Sequence, residues 1–202
     1  QHARSPDVML SLRPRRTPVG SNPEHSLYLR PQRMNSIRDM KQADWPAVFQ
    51  IYVEGIETGI ATFESSPPGF WEEWIKGRVS NSTLVSETNQ TVTGWAALSP
   101  VTSRCVYAGV AEVSIYVAKS QRGKGVGGAL MASLVARSEE LGFWTLQSQI
   151  FADNQATLHL HLNHGFRQVG VRERIGKMTY GPYAGQWRDN LFLERRSESV
   201  GR

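Results

Sequence analysis

The chain has one cysteine, Cys105, among its 202 residues, so no intrachain disulfide can form and stability must come from a packed core. That suits a reducing compartment, and a cytoplasmic location is expected. Long apolar runs are also lacking. None approaches the roughly 18 residues needed to span a bilayer, so no membrane segment is expected. A basic surface is missing too, despite a net charge of +5. Residues 1–33 hold six arginines against Asp7 and Glu24, which leaves residues 34–202 at only +1. No basic stripe with interleaved aromatics occurs in that remainder, so nucleic acid is not an expected partner.

What is present fits one α/β domain. Residues 1–33 are rich in Pro, Ser and Arg without a period of 2 or 3.6, and are expected to be a disordered extension or a start-site artefact. A transit peptide is the functional rival for that stretch. Met34 is a natural start, and residues 34–196 read as the domain, with 197–202 as a tail. Within it a strand is predicted at Ile37–Met40. A helix capped by Asp44, with Pro46 in its first turn, follows, and then a short helix through Trp71 and Trp74. A hairpin turns at Asn89-Gln90, and a strand covers Val110–Val117. Beyond it come a helix to Leu141, a strand at Trp144–Phe151 and a helix at Asn154–His164. Strands at Phe166–Tyr180 and at Trp187–Glu194 complete a mixed α/β sheet.

The strongest local signal lies between the Val110–Val117 strand and the helix behind it: Arg122-Gly123-Lys124-Gly125-Val126-Gly127-Gly128. Four glycines in six residues are a poor start for an ordinary helix. They make sense where the backbone must approach a ligand and aim its N–H groups at it. The helix N-terminus adds roughly half a positive charge, and Arg122 and Lys124 add full ones, so the loop suits a pyrophosphate. A P-loop is excluded because Gly125 stands where Ser or Thr would follow the Gly-Lys pair. A dinucleotide fingerprint fits worse because its strand would normally sit near the start of the domain.

Arg122-x-x-Gly125-x-Gly127, followed by Asn154-Gln155-Ala156-Thr157, Leu160-His161 and Gly165-Phe166, resembles the GCN5-related N-acetyltransferases. The resemblance covers about Ile37 to Glu194. It implies a mixed, mostly antiparallel central sheet of six or seven strands flanked by about four helices. It also implies acetyl-CoA as cosubstrate, no metal, and frequently a homodimer. Ala61-Thr62-Phe63-Glu64, the stretch from Arg104 to Val117, Gly176-Lys177-Met178 and Trp187-Arg188-Asp189 are similar to the phosphinothricin and arsinothricin N-acetyltransferases. Neighbouring groups that acetylate methionine sulfone and related amino acids share much of this pattern. The expected partner is therefore a small amino-acid-like molecule. Two rival readings are an enzyme that acetylates peptide or protein amines and a non-catalytic CoA sensor.

The resemblance also implies roles. Glu112 is expected to take the proton from the attacking amine; a solvated or salt-bridged strand carboxylate is the plainer alternative. Backbone N–H groups of Ile115, Tyr116 and Val117 would hold the thioester oxygen and pair with the pantetheine arm. Relatives often place a Tyr four residues before the Gly-Phe pair. His161 stands there, either as an acid titrating near neutrality for the departing thiolate or as a packing residue. His159 and His161 are about 200° apart on a helix and cannot share a metal ion. Asn154 is expected to contact the coenzyme, to cap its helix, or both. Phe63, Glu64, Tyr107 and Trp187 are candidates for the amino-acid pocket or else for core and interface. Relatives commonly have an arginine where Ala108 stands, which leaves Arg104 or Arg188 as possible carboxylate clamps, unless Arg188 simply pairs with Asp189.

Overall fold

The computed structural model describes residues 35–202, so the readings made for residues 1–33 and for a start at Met34 lie outside it. Seven strands form one sheet in the order β1-β2-β3-β4-β5-β7-β6. They are β1 Ser36–Asp39, β2 Leu84–Thr88, β3 Thr91–Pro100, β4 Val110–Val117, β5 Thr145–Phe151, β6 Arg167–Lys177 and β7 Trp187–Arg196. The helices are α1 Trp45–Ile56, α2 Trp71–Lys76, α3 Val126–Glu140 and α4 Gln155–Leu162. Every neighbouring pair is antiparallel except β4–β5, whose ends are joined through α3. The β2–β3 hairpin turns where expected. Asn89 and Gln90 both adopt positive φ, 51° and 62°, which a two-residue turn between right-twisted strands requires.

The period of two along β3 sorts side chains onto two cores. Trp95 and Ala97 meet Val48, Ile51 and Tyr52 of α1 and Trp74 of α2. Ala96 and Leu98 meet Leu130, Met131 and Leu134 of α3. Each buried large side chain contributes about 1.5–3 kcal/mol. Truncating the fully buried Leu130 to Ala is therefore expected to cost about 2–5 kcal/mol.

Two local readings need correction. Asp44 precedes α1, but its side chain does not cap that helix. Its carboxylate accepts from the Lys41 N–H at 2.8 Å and pairs with Arg38 at 2.7 Å, which holds it below the usual carboxylate range. Residues 197–202 are not a free tail. Ser197 N–H donates to the Trp144 carbonyl at 2.8 Å, and the Ser197 and Ser199 hydroxyls donate to the Glu139 carboxylate at 3.0 and 3.1 Å.

The feature that positions the site is an incomplete ladder. β4 pairs with β5 only over Val110–Glu112 against Thr145–Gln147. Beyond that point β4 follows β3 as far as Val117, while β5 follows β7 as far as Phe151. The two strands diverge just after Glu112. Backbone groups of the later β4 residues that face the gap have no strand partner and are available to a ligand.

Candidate active site

Two chambers open where β4 and β5 part. One, of about 460 Å³, runs along Ile115–Val117 to the glycine loop. The other, of about 480 Å³, is walled by Glu112, Tyr116, Tyr52, Arg78, Phe63 and Gln149, among others. They share Ile60, Ala61, Ile115, Tyr116, Asn154 and Thr157, so the chambers meet over the middle of β4.

The loop chamber is built mainly from backbone. Gly123 and Gly125 have φ of +74° and +83°, a region that side chains other than glycine's rarely adopt. Gly125 is the residue before α3 and supplies no capping side chain. The first bond on the helix is from the Ala129 N–H to the Gly125 carbonyl, so the N–H groups of Val126, Gly127 and Gly128 have no helical acceptor. That cluster of donors at a helix N-terminus fits a diphosphate. Arg122 lines the chamber and braces it, donating to the Val117 carbonyl at 3.3 Å and the Glu54 carbonyl at 3.4 Å. Lys124 donates to the Ser120 carbonyl at 2.7 Å and is absent from the wall. Val126 turns its side chain into the core and offers only backbone. Asn154 caps α4 by accepting from Thr157 N–H at 3.2 Å, and its amide donates to the Ile60 carbonyl at 3.0 Å. Its side chain thus straps the wall together.

The second chamber is built from side chains. Glu112 stands at the fork, with Gln147 and Gln149 amides donating to one carboxylate oxygen at 3.4 and 3.3 Å. These two glutamines were not foreseen. Tyr116 stacks on Trp95 at 4.6 Å and lies beside Tyr52, with ring centroids 4.7 Å apart. Burial first, and then the neighbouring Tyr52, keeps its phenol protonated well above the usual range. Gly55 is required here, since a Cβ would meet the Tyr116 ring at 2.5 Å. Phe63 and Glu64 line this chamber, Phe63 lying edge-on to Phe151 at 4.7 Å.

Five candidate site residues are placed away from the catalytic or pocket roles named for them. His161 does not titrate near neutrality: it is 1% exposed, and burial pushes it down to about 4. Its Nδ1–H donates to the Thr157 carbonyl at 2.8 Å, leaving Nε2 as a bare acceptor without a partner among the described residues. A neutral ring so arranged has no proton to give from Nε2. Arg104 and Tyr107 are exposed on the loop before β4, stacked on each other at 5.5 Å and outside both chambers. Trp187 is 59% exposed at the start of β7. Arg188 pairs with Asp153 at 2.7 Å, not Asp189, and its guanidinium lies between Phe151 and Tyr183.

Sequence reasoning also missed Arg78, in the chamber wall just after α2. A lone arginine between Gly77 and Val79 carries no motif, so only the fold could find it. Among the described residues no group of three or more His, Cys, Asp or Glu side chains could hold a metal, and no helix is long and apolar enough to cross a membrane.

Comparison with known proteins agrees with this geometry. A profile of the Acetyltransferase (GNAT) family matches residues 35–166. The chain is 32% identical to a phosphinothricin N-acetyltransferase of Alcaligenes faecalis over 168 residues, 79% of this chain and 81% of the relative. Two solved structures superpose closely. One is a phosphinothricin acetyltransferase from Sinorhizobium meliloti in complex with acetyl-CoA, at TM-score 0.70 and 28% identity over 82% of this chain and 95% of that one. The other is a ribosomal-protein-alanine N-acetyltransferase from Brucella melitensis, at TM-score 0.73 and 29% identity over 80% of this chain and 99% of that one. The chain belongs to the GNAT family of acetyltransferases. It is an acetyl-CoA-dependent N-acetyltransferase.

Proposed function

We propose that the protein acetylates the amino group of a free amino acid or a phosphinate, arsinate or sulfone analogue, by direct transfer with both substrates bound. The single observation that carries this reading is the junction of the two chambers at the β4–β5 fork. A donor held along β4 by the loop amides has its thioester beside the chamber that contains Glu112. In this reading Val126, Gly127 and Gly128 N–H groups bind the diphosphate, and unpaired β4 backbone holds the pantetheine arm and the thioester oxygen. Glu112 takes the proton from the incoming ammonium, directly or through one water, with Gln147 and Gln149 fixing its orientation. Tyr116, Tyr52 and Phe63 exclude bulk water around the amine. His161 serves as a neutral hydrogen-bond acceptor in the wall and not as a proton donor.

A protein acceptor, suggested by the Brucella neighbour, is the competing reading. The second chamber, at about 480 Å³, suits a molecule of amino-acid size. Homodimerisation belongs to the same reading, supported by Val169, Val171 and Trp187, which the β6–β7 hairpin leaves exposed; light scattering at a monomer's mass would remove it. For the acceptor, the test is thiol release from acetyl-CoA with L-phosphinothricin, L-methionine sulfone and peptides bearing a free N-terminus. Turnover confined to the free amino acids is expected. Turnover confined to peptides would transfer the assignment to the competing reading.

A further inference from the structure

We infer that Arg78 is the carboxylate anchor of the second chamber, holding an amino acid by its α-carboxylate so that its amine lies at Glu112. This rests on the reading of the acceptor as a small amino acid. Several observations converge on it. Arg78 is the one Lys or Arg in the chamber wall among the described residues, facing a chamber that also contains Glu112 and Glu64. No carboxylate pairs with it among the described residues. Its single protein hydrogen bond there is from Nη1 to the Ser99 hydroxyl at 2.6 Å, and its Nε is buried without an acceptor. The guanidinium lies 4.8 Å from the Trp74 ring centre, so it is fixed in place by aromatic packing. Desolvation weakens its hold on the proton. A partly buried cation without a counter-ion is costly to the fold unless an anion arrives to share the site.

The register supplies the geometry. Ser99, which holds Arg78, is the residue directly opposite Glu112 across β3–β4. Such partners have Cα atoms about 4.5–5.5 Å apart with side chains on the same face. The guanidinium, tethered to the residue opposite Glu112, therefore lines the same chamber as the carboxylate. In an α-amino acid the ammonium and carboxylate hang from one carbon, so one molecule can reach both groups with matched charge. A peptide N-terminus has a neutral amide at the corresponding place and would leave Arg78 unsatisfied. Arg78 thus sorts free amino acids from peptides. It also replaces Arg104 and Arg188, neither of which reaches the chamber.

The test compares L-methionine sulfone with 3-(methylsulfonyl)propylamine, which differs by the missing carboxylate, in wild type, Arg78→Gln and Arg78→Lys. In Arg78→Gln, kcat/KM for the amino acid is expected to fall roughly 10- to 100-fold, mainly through KM. The amine should change less than about threefold, and Arg78→Lys should recover part of the loss. Calorimetry with CoA checks that the variants retain the fold, since Arg78 does not line the loop chamber. An equal fall for both compounds, or none for the amino acid, overturns the anchor while leaving the acceptor class intact. A wild type that turns over no member of a panel of α-amino acids overturns the acceptor class, and the anchor with it.

Discussion

The two chambers that meet over the middle of β4 are made from different materials. The loop chamber draws its donors from backbone in one stretch, Ile115 to Gly128, with α1 and α4 closing its sides. The second chamber draws side chains from segments as distant as Tyr52, Arg78, Glu112, Gln149 and Asn190. A backbone site needs positive φ and small residues, and these requirements leave a contiguous record in the sequence. A side-chain site needs only that the fold deliver each group, and any one of them reads as an ordinary residue until it does.

That contrast predicts how the two regions fail. The largest effect is expected from Glu112→Ala, which should lower kcat at least about a hundredfold, the usual scale for a general base. CoA affinity measured by calorimetry should stay within threefold, as about 0.6 kcal/mol is all that allows. Near-normal turnover would remove Glu112 from the mechanism. Gly125→Val should give the reverse pattern. A β-branched residue at a φ of +83° is strained and crowds the donors, so CoA affinity should drop on the order of 30-fold. Unchanged affinity would mean that the loop does not hold the diphosphate.

A smaller effect, in stability, sharpens the account of His161. Its folded value of about 4 lies below the ordinary 6.5, so the unfolded chain binds the extra proton as pH falls between them. Stability is therefore present above pH 6.5 and is lost towards pH 4. Between pH 7 and 5 the loss from this group is about 2 kcal/mol. Chemical denaturation at both pH values should show that share of the loss missing in His161→Gln. An undiminished pH dependence would place the histidine in a solvated setting. The smallest effect expected is from removing residues 198–202. That breaks the Ser199–Glu139 contact and should lower stability by about 1 kcal/mol, with turnover unchanged. A loss of turnover would tie the C-terminus to the site.

Much of this architecture was legible beforehand. The turn at Asn89-Gln90 lies where the residues place it, and the strand–loop–helix around Gly125 was recognisable because glycine and helix-end chemistry are local. The mixed sheet followed from single helices set among strands. What escaped were pairings over long distances. Arg188 lies next to Asp189 in sequence yet pairs with Asp153, because neighbours on a strand point to opposite faces. His161 looked like a titrating group because helix position does not reveal burial. Asp44 looked like a cap for α1 because the Arg38 that draws its carboxylate away sits on β1. Arg78 gave no signal, since its meaning arises only when Ser99 and Glu112 are brought opposite each other.

The central claim is that backbone amides at the start of α3 hold the donor's diphosphate and thereby lay its thioester along β4, facing Glu112. Calorimetric titration of the folded wild-type protein with CoA tests it most directly. One binding event per chain is expected, abolished or much weakened in Gly125→Val and preserved in Glu112→Ala. A flat titration of the wild type at millimolar CoA, or equal affinity in all three proteins, would contradict the claim.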